Sequence, residues 1–507
     1  MTNQRIAIID IGSNSVRLVV YEKLASGSHR VIEASKRAAR LSEQIDSDGK
    51  LAAEAIGKLI QTINHFLMIC DHHQTKTIRA VATAAIRNAV NGQEVLETIR
   101  SQSGLQVELL SGEEEAYYGF VGMINALAVD NGFLIDIGGG STEVSLFRNR
   151  KLEASVSFPF GCVSLTRRFG RDGMLDNDAV KELEAFLSAA VAKEPWISQH
   201  PDLPLIGVGG TVRALGKIHQ AYHHYPIELN HNYQLNAADV DQLFHLLQAL
   251  PLDKRRKFPG LSKDRTDVIV PGLAILRLLH RAIRAKHYLV CGTGLRDGLF
   301  HATCFPGDPI VPDVLDFSIS QLIGLHPETQ SRHAELVRRV TPLLFDELKD
   351  THTLPRDAEL LLQTASSLFR IGASIDYYAA SKHSFYLIVN SQLNGLTHRQ
   401  IVLAAAIASY KGKNRLRQQL SEFRELLHEA DFEGVVKLGM LLQLAMALDR
   451  SETQTGWPFE LKRTGTTLLI TGAAGSEQLA WEQTEVKSLA PDFKKAWGFV
   501  PEFLPAY

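Results

Sequence analysis

The hydrophobic pattern of residues 1–125 predicts strands and helices in alternation. Apolar runs in IAIIDIG, SVRLVVYE, RVIEASKRAARL, TIRAVAT and LQVELLS predict five strands. A helix is predicted after the third strand because apolar residues there recur on one helical face: Ile56, Leu59, Ile60, Ile63 and Leu67. GQEVLETIRSQ predicts a second helix. EEEAYYGFVGMINAL predicts a third, with acids in the first turn, where the helix dipole favours them. This alternation is typical of an α/β layer.

The same plan starts again at Gly132. FLIDIGGGSTEVSLF predicts a hairpin, KLEASVSFPFG a strand, and LPLIGVGGTVRALGKI a strand, glycine turn and helix. The long apolar helix VIVPGLAILRLLHRAI leads to the strand HYLVCG and a closing helix from Leu295. Because hairpins pair antiparallel strands, each predicted sheet is mixed rather than wholly parallel. The pattern therefore predicts two α/β domains, residues 1–125 and 126–308.

The pattern changes after Phe305, where prolines cluster in GDPIVPD. Residues 309–450 have helical periodicity almost throughout, which indicates an all-α domain. Residues 451–507 return to mixed structure, with FELKRTGTTLLITG predicting a strand pair and SEQLAWEQTEV a helix. The sequence therefore predicts a helical domain followed by a small α/β domain.

Charge and cysteine content narrow the class of protein. The net charge of −2 excludes a globally basic nucleic-acid binder, so any polyanion must meet a local patch. Four cysteines without CxxC spacing favour a reducing cytoplasm over a disulfide framework. The first strand begins without a signal-peptide pattern, and no apolar run is long enough to cross a bilayer. We expect a cytoplasmic protein without nucleic-acid binding or integral membrane association.

Two glycine hairpins carry the clearest chemical signal. IAIIDIGSNSVRLVVYE and FLIDIGGGSTEVSLF each place a strand-end aspartate before a glycine turn with hydroxylic residues. Backbone N–H groups and hydroxyls in such turns suit phosphate oxygens. The expected phosphate donors are Gly12, Ser13, Asn14 and Ser15 in the first loop and Gly138, Gly139, Gly140, Ser141 and Thr142 in the second. Ordinary hairpins without a ligand are the alternative, but two copies favour a cleft that grips one phosphate chain.

Acidic and basic residues around these loops complete the predicted site. Asp136 and Glu143 flank the second turn and form a hard-oxygen pair suited to Mg²⁺, and Asp10 is the matching acid of the first hairpin. Arg87 follows TIRAVAT by a short turn and could stabilise transition-state charge, unless it is a surface residue. Thr83 is a candidate hydroxyl donor beside it. Arg17 leaves the first loop and faces either the cleft or a carboxylate.

Five segments in order, DIGSNSVRL, AVATAAIRNA, LLSGEEEA, IDIGGGSTE and IGVGGT, resemble the Ppx/GppA family of exopolyphosphatases and guanosine pentaphosphate phosphohydrolases. The resemblance implies α/β RNase H-like domains, duplicated as in the actin, heat-shock protein 70 and sugar-kinase superfamily. An HD-like all-α domain and a small mixed domain would follow. It implies that Glu115 is the catalytic base, although an acid at a helix start is usually only a capping residue. Further residues implied in substrate binding are Gly209, Gly210, Thr211 and Arg265.

The helical region departs from HD metal phosphohydrolases. Where their adjacent His-Asp pair is expected, SLFRIGASI offers Phe369 and Arg370, while His383 and Asp449 stand at resembling positions. Two remaining ligands do not make a binuclear site, so we expect a module that holds substrate without a second active centre. The basic runs 254–257 and 411–417 are either solvated faces or contacts for a long polyanion.

The predicted function is Mg²⁺-dependent removal of terminal orthophosphate from inorganic polyphosphate, with general-base activation of water. Hydrolysis of the 5′-terminal phosphate of guanosine pentaphosphate is the alternative, since both substrates end in a phosphoanhydride. An ATP-dependent small-molecule kinase and a non-catalytic sensor of guanosine nucleotides or polyphosphate are two further readings. We expect the protein to form a homodimer.

Overall fold

The computed structural model describes residues 3–171, 174–453, 458–472 and 476–505. It divides into two compact units, residues 1–314 and 315–507, and each is described by itself.

The first sheet lies in the N-terminal half of the first unit and has the strand order β3-β2-β1-β4-β5. Strands β1, β2 and β3 pair antiparallel, while β4 and β5 continue the sheet in parallel. Its strands are β1 (Gln4–Ile11), β2 (Ser15–Lys23), β3 (His29–Ala38), β4 (Thr77–Ala82) and β5 (Val107–Leu109). The helices are α1 (Ala53–His72), α2 (Ala84–Arg87), α3 (Gly92–Ser103) and α4 (Gly112–Ile124). The apolar face predicted for α1 is packed on this sheet through Leu59, Ile60 and Ile63.

The second sheet repeats this order and adds one strand, giving β8-β7-β6-β9-β11-β10 when read from the corresponding edge. Its strands are β6 (Gly132–Ile137), β7 (Thr142–Arg148), β8 (Lys151–Phe158), β9 (Leu205–Val208), β10 (Tyr233–Leu235) and β11 (Tyr288–Val290). The helices are α5 (Cys162–Phe169), α6 (Asn177–Val191), α7 (Gly209–Tyr222), α8 (Ala237–Ala249), α9 (Leu252–Arg255), α10 (Ile269–Ile283) and α11 (Leu295–Cys304). The predicted duplicated α/β fold with mixed sheets is confirmed. Strand β10 was not predicted because its three residues lie in the polar stretch NHNYQLN, without the apolar run that marked the equally short β5 and β11.

Helices α4 and α11 each cover the sheet of the other half. The α4 residues Phe120, Met123 and Ile124 are buried against the second sheet, whereas α11 packs Leu299 and Phe300 against β1 and β2. The two helices cross at close range because α4 and α11 each carry a glycine there. A Cβ on Gly122 would overlap the carbonyl of Gly294, and one on Gly298 would overlap that of Tyr118. The sequence boundary at residue 125 assigned α4 to the first domain, but its core contacts belong to the second sheet.

The second unit is mainly helical and ends in a small sheet of order β12-β13-β14. Its helices are α12 (Val314–Leu325), α13 (Arg332–Leu348), α14 (Ala358–Leu368), α15 (Ala380–Asn390), α16 (His398–Ala408), α17 (Lys413–Leu420), α18 (Asp431–Ala447) and α19 (Ala480–Trp497). Its strands are β12 (Phe459–Thr464), β13 (Thr467–Gly472) and β14 (Val500–Pro505). The sheet and α19 lie in the same compact unit as the preceding helices, and a separate domain over residues 451–507 stays a prediction. In the parts of the chain that the structure describes, no helix is long and apolar enough to cross a membrane.

Candidate active site

The two glycine loops meet at a cavity of about 120 Å³ in the first unit. Both strand-end aspartates, the turn residues and the start of α4 contribute to its wall. The predicted residues that line it are Asp10, Gly12, Ser13, Asn14, Ser15, Arg17, Thr83, Glu115, Asp136, Gly138, Gly139, Ser141, Glu143, Gly209, Gly210 and Arg265. The duplicated fold thus brings two distant segments of sequence to one site.

The loops contact each other without room for a side chain. A Cβ on Gly139 would lie 3.1 Å from Ser13 Cβ and 3.3 Å from the Asn14 amide nitrogen. A Cβ on Gly140 would lie 2.9 Å from Ser13 Oγ. Both glycines therefore favour the close approach of the two loops, because a side chain at either position would make neighbouring atoms shift.

The second hairpin forms the acidic side of the cavity. The register of β6 and β7 places Asp136 directly opposite Glu143, and Ser157 Oγ donates a hydrogen bond to Glu143 Oε1 over 2.8 Å. Burial and the neighbouring Asp136 carboxylate raise the pKa of Glu143 to about 7, although hydrogen bonds from serine hydroxyls favour its charged form. Burial also raises the pKa of Asp136, opposed by the charge of Arg213.

Glu115 joins this acidic side from the first turn of α4. Ser111 and Glu114 form a reciprocal capping box, so Glu114 serves the helix start. A Cβ on Gly112 would lie 2.6 Å from Ser157 Cβ, so the helix start lies directly against β8. This approach brings Glu115 to the cavity beside Glu143.

The Glu115 carboxylate is held by one arginine. Arg87 Nη1 donates to Glu115 Oε2 over 3.0 Å and to the Leu110 carbonyl over 2.8 Å. Burial raises the pKa of Glu115 well above its usual range, Glu143 adds to the rise, and the Arg87 charge opposes it. A carboxylate with a raised pKa is a stronger proton acceptor once it is ionised.

The first hairpin forms the basic side of the cavity. Here Asp10 lies opposite Arg17 in the β1–β2 register, and Arg17 Nε donates to Ser15 Oγ over 3.1 Å. Burial, with the charge of Arg296, lowers the pKa of Arg17 to about 10. Burial raises the pKa of Asp10, and both arginines oppose the rise. The cavity is lined by four arginines: Arg17, Arg213, Arg265 and Arg296.

Such a cationic wall opposite a carboxylate cluster fits a polyanion with a reacting end. The family model described as Ppx/GppA phosphatase family matches residues 19–304, and that of Ppx/GppA phosphatase, domain III, matches residues 317–471. The chain belongs to the Ppx/GppA phosphatase family.

Relatives within this family differ in their named activities. Two proteins named guanosine-5′-triphosphate,3′-diphosphate pyrophosphatase are similar over 92% of this chain. The protein from Photobacterium profundum is 27% identical to this chain, and the match covers 91% of its own length. The protein from Aeromonas hydrophila is 28% identical, and the match covers 92% of its own length. The Ppx/GppA family member from Aquifex aeolicus, known from a crystal structure, is 28% identical in sequence and superposes with a TM-score of 0.51. The match covers 59% of this chain and 97% of the Aquifex aeolicus chain. An exopolyphosphatase from Cytophaga hutchinsonii, 23% identical with a TM-score of 0.57, shares the fold over 61% of this chain and 100% of its own.

Several lining residues of this Ppx/GppA site were missed from the sequence. Arg213 lies on α7, one turn after the predicted Gly209, and its Nη1 donates to the Gly292 carbonyl over 3.1 Å. Arg296 and Asp297 begin α11, and Asp297 accepts from the Gly294 amide at 2.9 Å. The signal was available in CGTGLRDG, a further strand, glycine turn and helix start of the same kind. The other unpredicted lining residues are Ile137, Cys162, Gly294 and Leu295.

Four predicted residues lie outside the described lining of the cavity. Arg87 pairs with Glu115 and is not among the lining residues of the cavity, and its direct contact with substrate stays a prediction. Thr142 is fully buried and donates to the Phe160 carbonyl over 2.7 Å, which ties β7 to the chain after β8. Thr211 is fully buried, and its side chain packs against Gly272. Gly140 faces Ser13 of the first loop. The structure gives Thr142 and Thr211 packing positions and puts Gly140 at the contact between the loops, and their part in substrate binding stays a prediction.

The acidic side fits a magnesium ion bound through few protein ligands. Among the described residues, no group of three or more histidine, cysteine, aspartate or glutamate side chains is placed to hold a metal. Mg²⁺ usually takes one or two carboxylates and completes its shell with phosphate oxygens and water. Asp136 and Glu143 supply that donor set, whereas Asp10 is next to the charges of Arg17 and Arg296.

Other predictions concern residues outside this cavity. In the second unit, Asp449 Oδ2 lies 2.9 Å from Nδ1 of His333, a histidine that the sequence did not single out. In the basic run 254–257, Arg255 is buried and donates to the backbone carbonyls of Leu247 and Thr266, which excludes it from a surface polymer contact. The other members of that run are exposed.

Proposed function

We propose that the protein hydrolyses the terminal phosphoanhydride bond of a phosphate chain and releases orthophosphate, with inorganic polyphosphate as its main substrate. The observation that carries this proposal is the position of Glu115, a buried carboxylate with a raised pKa, in a cavity that four arginines and two phosphate-type loops also line. A proton acceptor facing a polyanion site is the arrangement that hydrolysis of a phosphate end requires.

The basic side holds the chain. Burial, with repulsion from Arg296, lowers the pKa of Arg17 and of Arg213, so their cationic forms are unfavourable without a bound anion. A bound polyanion relieves this cost because each phosphate oxygen supplies the missing negative charge. The amides of the two loops and the start of α7 at Gly209 add N–H donors.

The acidic side carries out the reaction. Ionised Glu115 accepts a proton from a water molecule, whose oxygen forms a bond to the terminal phosphorus while the bridging P–O bond breaks. The shortened chain leaves with the electron pair of that bond. Arg87 orients Glu115 through the 3.0 Å ion pair. Asp136 and Glu143 would hold Mg²⁺, which when bound neutralises charge on the phosphate oxygens.

Guanosine pentaphosphate is the second candidate substrate. Two relatives named guanosine-5′-triphosphate,3′-diphosphate pyrophosphatase match this chain over 92% of its length, including the second unit. The same cavity residues would act on the 5′-terminal phosphate of that nucleotide, because the reacting bond is again a terminal phosphoanhydride.

Phosphate release from long-chain polyphosphate and from guanosine pentaphosphate, measured side by side with Mg²⁺, tests this proposal. The expected result is release from both, with a higher kcat/KM for polyphosphate, and loss of both in Glu115→Gln. A higher kcat/KM for guanosine pentaphosphate would show that the nucleotide, and not polyphosphate, is the main substrate. Release that persists in Glu115→Gln would overturn the mechanism.

The predicted homodimer and cytoplasmic location remain predictions that rest on sequence and on the family resemblance. Light scattering of the full-length protein would measure the molar mass in solution. A mass of one chain, against the 56.1 kDa of the sequence, would contradict the dimer.

A further inference from the structure

The second unit contains a cavity of about 480 Å³, larger than the candidate active site. Its wall combines apolar and aromatic side chains with three cations. The lining residues used below are Phe369, Arg370, Tyr377, Tyr378, Lys411 and Arg450. Pockets of this size and mixed lining are typical of small-molecule sites.

The interior of this cavity is not built for metal chemistry. Phe369 packs edge-on against the His333 ring, with centroids 5.9 Å apart, and His333 is already paired with Asp449. Within the described residues, no cluster of three metal-ligating side chains exists. The interior walls add the aliphatic side chains of Leu442, Met446 and Leu489. Such a wall favours a flat apolar group over an inorganic chain.

Cations surround this apolar interior and are only partly neutralised. Arg370 Nη1 lies 2.7 Å from Glu452 Oε1, in a pair whose side chains are 23% and 41% exposed. Arg450 Nε is 4.0 Å from Glu485 Oε2, at the outer limit of an ion pair. Lys411 is exposed at the same cavity. Because exposed pairs of this kind are weak, a phosphate group can exchange with the carboxylates.

Two tyrosines at the cavity are unusually exposed. Tyr377 is 67% and Tyr378 95% exposed, and their rings lie 5.7 Å apart at right angles. Exposed aromatic side chains beside a mixed cavity provide faces on which a heterocyclic base can stack.

We propose that this cavity is an accessory, non-catalytic site for a purine nucleoside phosphate. The base lies against Phe369 and the tyrosines, and the phosphates contact Arg370, Lys411 and Arg450. An inorganic polyphosphate would use the cations but would leave the apolar wall without a partner. The proposal stands independently of the reaction assigned to the first unit, because it uses none of those residues.

Calorimetric titration of the full-length protein with GDP and with ADP, without Mg²⁺, tests this site. Arg370→Gln and Lys411→Gln should each weaken nucleotide binding about 10- to 100-fold, as expected for loss of a charged hydrogen bond. Lys411 is exposed, so its replacement leaves the packing intact. The matched control is Arg338→Gln, which removes an exposed arginine of α13 outside the cavity and should leave the affinity unchanged.

A second set of variants separates this cavity from the candidate active site. Arg296→Gln should weaken binding of tripolyphosphate but leave the nucleotide isotherm of the accessory site in place. Three outcomes would overturn the proposal. These are no nucleotide binding at millimolar concentration, nucleotide binding lost in Arg296→Gln but kept in Arg370→Gln, or tripolyphosphate binding weakened by Arg370→Gln as strongly as nucleotide binding.

Discussion

The two glycine hairpins of the first unit are near-copies in sequence but opposite in charge. In both, an aspartate is the next-to-last residue of the first strand, and a glycine turn leads to the second strand. Opposite that aspartate, however, the β1–β2 register places Arg17, whereas the β6–β7 register places Glu143. One residue in an otherwise repeated motif therefore decides whether the hairpin is suited to an anion or to a cation.

The surroundings reinforce this difference. Arg296 adds positive charge beside Arg17, while Glu115 adds a carboxylate beside Glu143. Burial, with like charges nearby, lowers the pKa of Arg17 and raises that of Glu115 and Glu143, so the charged forms on both sides are destabilised in the cavity. In the proposed mechanism, the duplicated fold makes two complementary half-sites, one that holds the phosphate chain and one that carries out the reaction.

The largest expected effect is on the acidic side. Glu115→Gln keeps the size of the side chain but removes proton acceptance, so kcat should fall by about 10²–10⁴-fold while polyphosphate binding persists. Steady-state kinetics and a binding titration measure the two quantities. Glu114→Gln, at the neighbouring capping position, is the control and should retain kcat within a few-fold. Normal turnover of the Glu115→Gln enzyme would show that Glu115 is not the catalytic base.

Separating the two hairpins should weaken substrate binding. In Gly139→Ala the added methyl would lie 3.1 Å from Ser13 Cβ and would push the loops apart, so KM for polyphosphate should rise about tenfold. Gly57→Ala, on the exposed face of α1 where nothing lies within 4 Å, is the matched control. Equal KM values for both variants would show that loop contact does not govern binding.

Replacing Arg87, the cation paired with Glu115, should change the pH dependence of kcat/KM. Arg87 lowers the pKa of Glu115, so Arg87→Gln should raise that pKa and move the acid limb of kcat/KM upward by about one pH unit. The sign follows because the base must be ionised to accept a proton. Arg79→Gln removes an arginine paired with Glu108 elsewhere in the sheet and serves as the control. An unchanged acid limb would exclude Glu115 as the titrating base.

The smallest expected effect is on stability. The pKa of Glu143 is raised from 4.5 to about 7, so its stabilising contribution is complete below pH 4.5 and is lost as pH rises through 7. Glu143→Gln, which stays neutral, should therefore increase the free energy of unfolding by about 1–3 kcal/mol at pH 8 relative to wild type, with less gain at pH 5. Denaturant unfolding at both pH values measures this. A variant less stable than wild type at pH 8 would show that the buried charge is well compensated.

Much of the α/β fold and of the cavity could be predicted from the sequence, because both depend on patterns within short segments of the chain. Apolar periodicity predicted the strands and helices of both α/β halves, and the two Asp-Gly turns predicted the meeting loops. The sequence could not place the hydroxyls of Thr142 and Thr211, because a hydroxyl in a glycine turn has two possible partners, a ligand or the backbone. Only the fold shows that Thr142 donates to the Phe160 carbonyl.

The remaining features depend on tertiary packing that no local pattern carries. The exchange of α4 and α11 between the sheets depends on the contact of Gly122 with Gly294, far apart in the chain. That exchange brings Arg296 and Glu115 to the same cavity. Strand β14 was missed because its prolines obscure the strand pattern, although it pairs in parallel with β13.

The central claim is that the first hairpin binds the phosphate chain and the second binds Mg²⁺. One paired measurement on Arg17→Gln and Glu143→Gln tests it most directly. Phosphate release is measured over a matrix of polyphosphate and Mg²⁺ concentrations for both variants and wild type. We predict that Arg17→Gln raises KM for polyphosphate with little change in the Mg²⁺ concentration at half-maximal activity. Glu143→Gln should raise that Mg²⁺ concentration with little change in KM at saturating Mg²⁺. The same change in both variants, or the reverse assignment, would contradict the account.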